Sequence, residues 1–253
     1  MVARDLRRLA WSCGFIVALA SGIASWTVLA APPTKMTPAV ATPEDMTAEI
    51  RTLLTSIEEG LSSAESYRDR QQQLKRQAVQ IAIFSQALAD YDTDTAFKKT
   101  APDLRDAALA LAKAASQSES AAQVAIIKQG LEGKSTGTAV REIDWSRLAN
   151  AGAMMGAMKE RSEAIRRGLR RPKDPEAESR QALAIALMAL VIHGDTHAVK
   201  DSADKPAWQE ACLELQGHMS RAAAAIKSRD GSAVDHFRMG MEACDKCHQK
   251  FKP

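Results

Sequence analysis

Arg180-Gln181-Ala182-Leu183-Ala184-Ile185-Ala186-Leu187 lies over Arg76-Gln77-Ala78-Val79-Gln80-Ile81-Ala82-Ile83 at a shift of 104 residues. Both stretches sit in long runs without glycine or proline, rich in the residues that lose least on entering a helix. The chain around them has the same character. Of 253 residues 45% are hydrophobic but only 4% aromatic, which is enough apolar surface for buried cores and too little strand-forming material for a sheet. Thr42-Pro43-Glu44-Asp45 places a cap, a first-turn proline and early carboxylates in the order that starts a helix. Ile50, Leu53, Leu54, Ile57 and Leu61 then recur at helical spacing. Further segments follow near Arg68 to Ala89, Pro102 to Ser116 and Ser120 to Glu132. A second series runs from Asp144 to Arg170, Pro175 to His193, Pro206 to Lys227 and Ser232 to Phe251. Each series has four helices, which predicts an all-α chain.

The two series read as a tandem duplication over residues 42–138 and 144–253. Leu109 and Leu111 fall on Leu213 and Leu215 at the first shift. An insertion around Ser228-Arg229-Asp230-Gly231 then moves the register to 110, where Ile126-Ile127-Lys128-Gln129-Gly130-Leu131 faces His236-Phe237-Arg238-Met239-Gly240-Met241. Just beyond, Cys244-Asp245-Lys246-Cys247-His248 is faced by Lys134-Ser135-Thr136-Gly137-Thr138.

The pentad is a C-x-x-C-H motif, the signature of covalent haem attachment. Two thiols one helical turn apart can each add to a vinyl group of one porphyrin, and the adjacent imidazole reaches the iron. Cys244 and Cys247 are therefore the expected anchors of one haem c, with His248 as proximal iron ligand. The first series has neither thiol nor imidazole at this place, so one haem per chain is expected. Only Gln249 to Pro253 follow the pentad, so a second axial ligand is expected from upstream. A thioredoxin-type pair would need a strand-helix-strand context and a zinc site a second pair of ligands, and the sequence has neither.

Charge and export signals agree with that cofactor. Arg4, Arg7 and Arg8 precede an apolar run from Leu9 to Ala31, and Val28-Leu29-Ala30 has the small-residue character of a cleavage site. Residues 1–30 thus read as a signal peptide directing the chain to the periplasm, where c-type haem is attached. The run is also long enough to span a bilayer, so an uncleaved inner-membrane anchor stays open as the alternative. Without residues 1–30, 31 basic residues stand against 30 acidic ones, and neither a nucleic-acid nor an acidic-substrate partner is implied by the overall charge. Cys13 lies in the export segment without the preceding apolar run of a lipoprotein site, and Cys212 is expected to be a small buried hydrophobe.

An antiparallel four-helix bundle with C-x-x-C-H on its last helix resembles the class II c-type cytochromes, the cytochrome c-prime family. The continuation to Phe251-Lys252 is similar to the aromatic-basic pair that follows the family's motif. The resemblance covers residues 144–253, and reaches residues 42–138 through the repeat. Arg147, Met154, Met155 and Met158 look similar to the first-helix arginine and inner-face methionines of the family. The resemblance implies a haem enclosed by four helices, and a second-shell role for a cation at Lys250 or Lys252. It also implies pairing through the first two helices, for which this chain is expected to hold its own partner covalently; its oligomeric state stays open.

The distal side decides the activity. The family's distal position falls on Ala151 or Gly152, whose small side chains leave an open iron for a gas such as nitric oxide or carbon monoxide. One turn further, Met154, Met155 or Met158 would instead ligate the iron and make a low-spin electron carrier. Electron transfer with a redox partner protein is the leading reading; gas binding, or a module that docks such a partner, is the alternative. No acid-base pair stands beside the pentad, so the chain is not read as an enzyme. Among the histidines, His193 and His197 flank a helix end and are not expected to share a face, and His236 is two turns from Cys244, too far along the helix to reach the iron.

Overall fold

A computed structural model describes residues 41–137 and 143–251. These are all-helical, with no strand among the described residues. The export segment expected over residues 1–30 lies outside them, as do Thr138 and Lys252. Eight α-helices run in order: α1 Pro43–Gly60, α2 Ala64–Ala89, α3 Ala101–Lys113, α4 Gln117–Leu131, α5 Ala151–Arg170, α6 Pro175–Gly194, α7 Lys205–Ser228 and α8 Ala233–Phe251. Two single 3-10 turns, Trp145–Arg147 and Ser202–Asp204, precede α5 and α7. No helix among the described residues is long and apolar enough to cross a membrane.

Local chemistry sets the starts. The Thr42 hydroxyl accepts from Asp45 N at 3.1 Å, and Ser63 and Ser116 cap α2 and α4 in the same way. A continuous helix over Asp144 to Arg170 was expected, and the structure corrects this. The Asn150 side chain accepts from Ala153 N at 2.8 Å and starts α5 there, while Asp195 accepts from Ala151 N at 2.8 Å. Arg147 is consequently left in the 3-10 turn, outside α5.

The repeated stretches occupy the interior. Every residue from Ala182 to His193 on α6 is buried, as is every residue from Gln80 to Leu88 on α2. A helix that is apolar all round needs neighbours on all sides. Helix α6 packs against α5 and α7 and also meets α1 and α2, so it joins the two series. In the first series α1 packs on α2, α2 on α3, α3 on α4, and α1 also touches α4. In the second, α5, α6, α7 and α8 pack in succession.

Between the series lies a buried ionic cluster. Arg161 of α5 donates from Nη2 to Glu49 Oε1 of α1 at 2.7 Å, from Nε to Gln80 Oε1 of α2 at 2.7 Å and from Nη1 to Gln181 Oε1 of α6 at 3.0 Å. Arg180 Nε lies 3.4 Å from the other Glu49 oxygen, within ion-pair distance but without hydrogen-bond alignment. The carboxylate thus faces two guanidinium groups away from water. At the surface, Lys227 of α7 donates to Asp45 of α1 at 2.8 Å and Trp145 Nε1 to Asp90 at 2.9 Å.

His193, near the end of α6, gives the fold a pH dependence. Burial holds its imidazole below the usual histidine value of 6.5. The unfolded chain takes up the proton more readily, so stability is full above the unfolded value and is lost as pH falls below it. The urea midpoint is expected to drop from about pH 7 to about pH 5, and to drop less in His193→Leu. Equal drops in both proteins would assign the acid sensitivity to other groups.

Candidate functional site

Helix α8 presents the pentad. Cys244 and Cys247, three residues apart, are half-buried, and His248 follows at the exposed end of the same turn. All three line one cavity of about 410 Å³. Its other walls come from Met155 and Met158 of α5, Ile185 and Ile192 of α6, and Cys212 and Leu215 of α7. Every helix of the second series therefore contributes, and the walls are largely apolar. The volume falls within the range of small-molecule and cofactor sites, about 300–1,000 Å³.

The thiols on this wall all respond to their burial. Burial pushes the Cys244 thiol up to about 11, helped by the charges of Cys247 and Asp245, and burial raises Cys247 as well. Cys212 is shifted further in the same direction, by burial first and then by the two neighbouring cysteines. Among the described residues no group of three or more histidine, cysteine or carboxylate side chains has the arrangement to hold a metal ion on its own. The cavity wall brings two thiols and an imidazole together among mainly aliphatic side chains, with Lys159, Glu163 and Arg166 also in the lining. This donor set fits a flat apolar group with an iron at its centre.

The end of α8 is locked in place by its aromatic residue. Phe251 meets Trp208 of α7 edge to face at 5.3 Å, and Trp208 Nε1 donates to the Ile192 carbonyl of α6 at 2.9 Å. Lys250 is held at Asp204, 2.7 Å away, and lies 5.4 Å from the Phe251 ring. It is thus engaged with the turn that enters α7.

The other sequence candidates are distributed as follows. Met155 and Met158 reach the cavity, whereas Met154 is buried without lining it, and neither Ala151 nor Gly152 is on its wall. His193, His197, His218 and His236 are not on its wall either. His197 Nδ1 instead contacts Asp195 Oδ1 at 2.6 Å, and the His218 and His236 rings lie 6.4 Å apart across α7 and α8. Cys212 is a wall residue that its isolated position in the sequence did not reveal.

Comparison with known proteins found no matching family, and no curated protein or solved structure was significantly similar.

The stretch of the first series that the sequence register sets opposite the pentad is built differently. Helix α4 stops at Leu131, where Gly133 takes a left-handed φ of 79° that favours glycine, and Lys134 N closes the end on Gln129 O at 3.0 Å. Ser135 Oγ and Thr136 N and Oγ1 then donate to the Asp103 carboxylate at 2.7–2.8 Å. Burial works against the Asp103 charge, but the Thr136 and Ser135 bonds outweigh it and hold the carboxyl below its usual value. Where the second series continues its helix through the pentad, the first turns away and ties itself down.

Proposed function

We propose that this chain is an exported c-type cytochrome that binds one haem covalently and carries single electrons without being an enzyme. The carrying observation is the convergence of Cys244, Cys247 and His248 on one apolar cavity that also takes in Met155 and Met158. Each thiol would add its sulfur to one vinyl carbon and its hydrogen to the other, forming two thioethers. His248 would be a ligand of the haem iron, and Met155 or Met158 would offer a thioether as a further ligand. When bound, the haem provides a one-electron ferric/ferrous couple. The residues do the rest: α5, α6 and α7 exclude water with aliphatic side chains, and the Phe251–Trp208 contact keeps the end of α8 from fraying away from the cofactor.

Two tandem antiparallel four-helix bundles, residues 42–138 and 144–253, account for the packing order, with the first bundle lacking haem. Two observations support this. Gly130 and Gly240, superposed by the repeat, both sit where a Cβ would press on the preceding helix, against Leu104 and Met219 respectively. The halves also meet through α1, α2, α5 and α6, the first two helices of each series. This is the contact expected if the first bundle serves as a covalently attached partner.

The distal ligand is open to a direct test. Of Met155→Ala and Met158→Ala, one is expected to lose the sulfur-to-iron band of the oxidised protein and to bind carbon monoxide when reduced, while the unaltered protein ignores it. A high-spin unaltered protein whose reduced spectrum shifts with carbon monoxide would replace electron transfer by gas binding as the function.

A further inference from the structure

Helix α5 carries a basic surface that the haem reading does not use. Between residues 159 and 173 six exposed cations, Lys159, Arg166, Arg167, Arg170, Arg171 and Lys173, stand against two exposed carboxylates, Glu160 and Glu163. Outside its first thirty residues the whole chain, this stretch included, is close to neutral, so the stretch is a concentrated basic field. Lys159 and Arg166 stand at the wall of the haem cavity. Arg166 and Arg170 follow Lys159 at seven and eleven residues, about two and three turns on, with Glu163 between them on the same face, so the stripe leads away from the cavity. Arg167, Arg170, Arg171 and Lys173 border a second, open groove of about 750 Å³ at the α5–α6 turn, with Glu178 of α6 as the one carboxylate among the described residues of its wall.

These charges are not consumed by the fold. Arg166 lies 5.9 Å from the centre of the Phe237 ring, and Arg161, pointing inward from the same helix, is paired with Glu49. Among the described residues, Arg167, Arg170, Arg171 and Lys173 have no carboxylate within ion-pair distance. Three of the four are arginines, whose planar forks match carboxylates in pairs. Unpaired arginines that begin at a cofactor cavity suit rapid, orienting and transient contact.

We infer that the α5 face, Lys159 to Lys173, is the docking surface for the acidic face of a one-electron carrier protein. The inference rests on the haem reading. In the docked complex one electron leaves the reduced centre of the partner and converts the ferric iron to ferrous, with no bond made or broken in either protein and no proton moved. The basic face speeds encounter and aims the partner at the cavity.

The test uses the haem-loaded full chain and a variant with Arg167→Gln, Arg170→Gln, Arg171→Gln and Lys173→Gln, all exposed positions. The probes are reduced plant-type ferredoxin, an acidic one-electron carrier, and hexaammineruthenium(II), a small cationic reductant. Reduction of the unaltered protein by ferredoxin is expected to slow steeply with salt, and the variant to be about 10-fold slower or more at low salt. The cationic reagent is expected to reduce the variant at least as fast as the unaltered protein. Equal ferredoxin rates in the two proteins, or equal slowing with both reagents, overturns the proposal. So does a variant that loses only its sedimentation with phosphatidylserine vesicles, since the surface would then read lipid. Preparations without a haem spectrum would instead remove the haem reading itself, before any rate is compared.

Discussion

Cys244→Ala combined with Cys247→Ala yields a full-length chain that retains no haem after denaturation. On the proposed attachment the effect is all or none, because the two thioethers would be the only covalent links, and Cys212, the other thiol on the cavity wall, lies on α7 outside the C-x-x-C-H turn. Each single replacement leaves one thioether and a lower yield of holoprotein. His248→Ala keeps both sulfur anchors but removes the proximal ligand, so its oxidised and reduced spectra lose their native form while covalent haem persists. Denaturing gels stained for haem, read beside intact masses, check all four variants. Covalent haem surviving in the double variant would place the attachment elsewhere.

Glu49→Ala has the second largest expected effect, on stability. It leaves Arg161, and beside it Arg180, facing each other in a buried setting without their carboxylate. Removing one member of a buried ionic cluster costs about 3–5 kcal/mol, because the remaining charge stays desolvated and unpaired. For a chain of this size, that lowers the melting temperature by roughly 6–20 °C. Replacing the cluster together, Glu49→Leu with Arg161→Met and Arg180→Met, is expected to be close to neutral, since the desolvation cost disappears along with the attraction. Thermal melts followed by helical circular dichroism decide the matter. A triple variant as unstable as Glu49→Ala would mean the charges stabilise the contact between halves by more than they cost to bury.

Much of the architecture was legible in the sequence because helix signals are local. The Thr42-Pro43 start, the apolar spacing from Ile50 to Leu61 and the glycine- and proline-free stretches around Ile81 and Ile185 depend on near neighbours, and the helices follow them closely. The break before α5 was missed because Asn150 acts as a cap only when its side chain is free to accept from Ala153, which composition does not reveal. The pentad's location was evident, but its surroundings were not. That Met155 and Met158 reach the cavity while Met154 does not follows from the rotation of α5, which the start at Ala151 fixes.

The ionic cluster had a signal that went unread. Glu49 lies three residues from Met46 and four from Leu53, and Arg161 three from Met158 and four from Ile165, so both charges occupy apolar stripes. A charge on a buried face calls for a partner, but that partner is 112 residues away and periodicity cannot name it. Cys212 was hidden for a related reason. A single small residue on an alanine-rich helix looks like filler until the neighbouring helices show what it faces.

The most direct measurement is the intact mass of the exported, unaltered protein together with the spectrum of its haem released into alkaline pyridine. The account predicts one covalent haem per chain, with the reduced spectrum of a porphyrin whose two vinyl groups are both saturated by thioethers. A chain carrying no haem, with Cys244 and Cys247 joined as a disulfide or present as free thiols, would contradict it, and so would two haems on one chain.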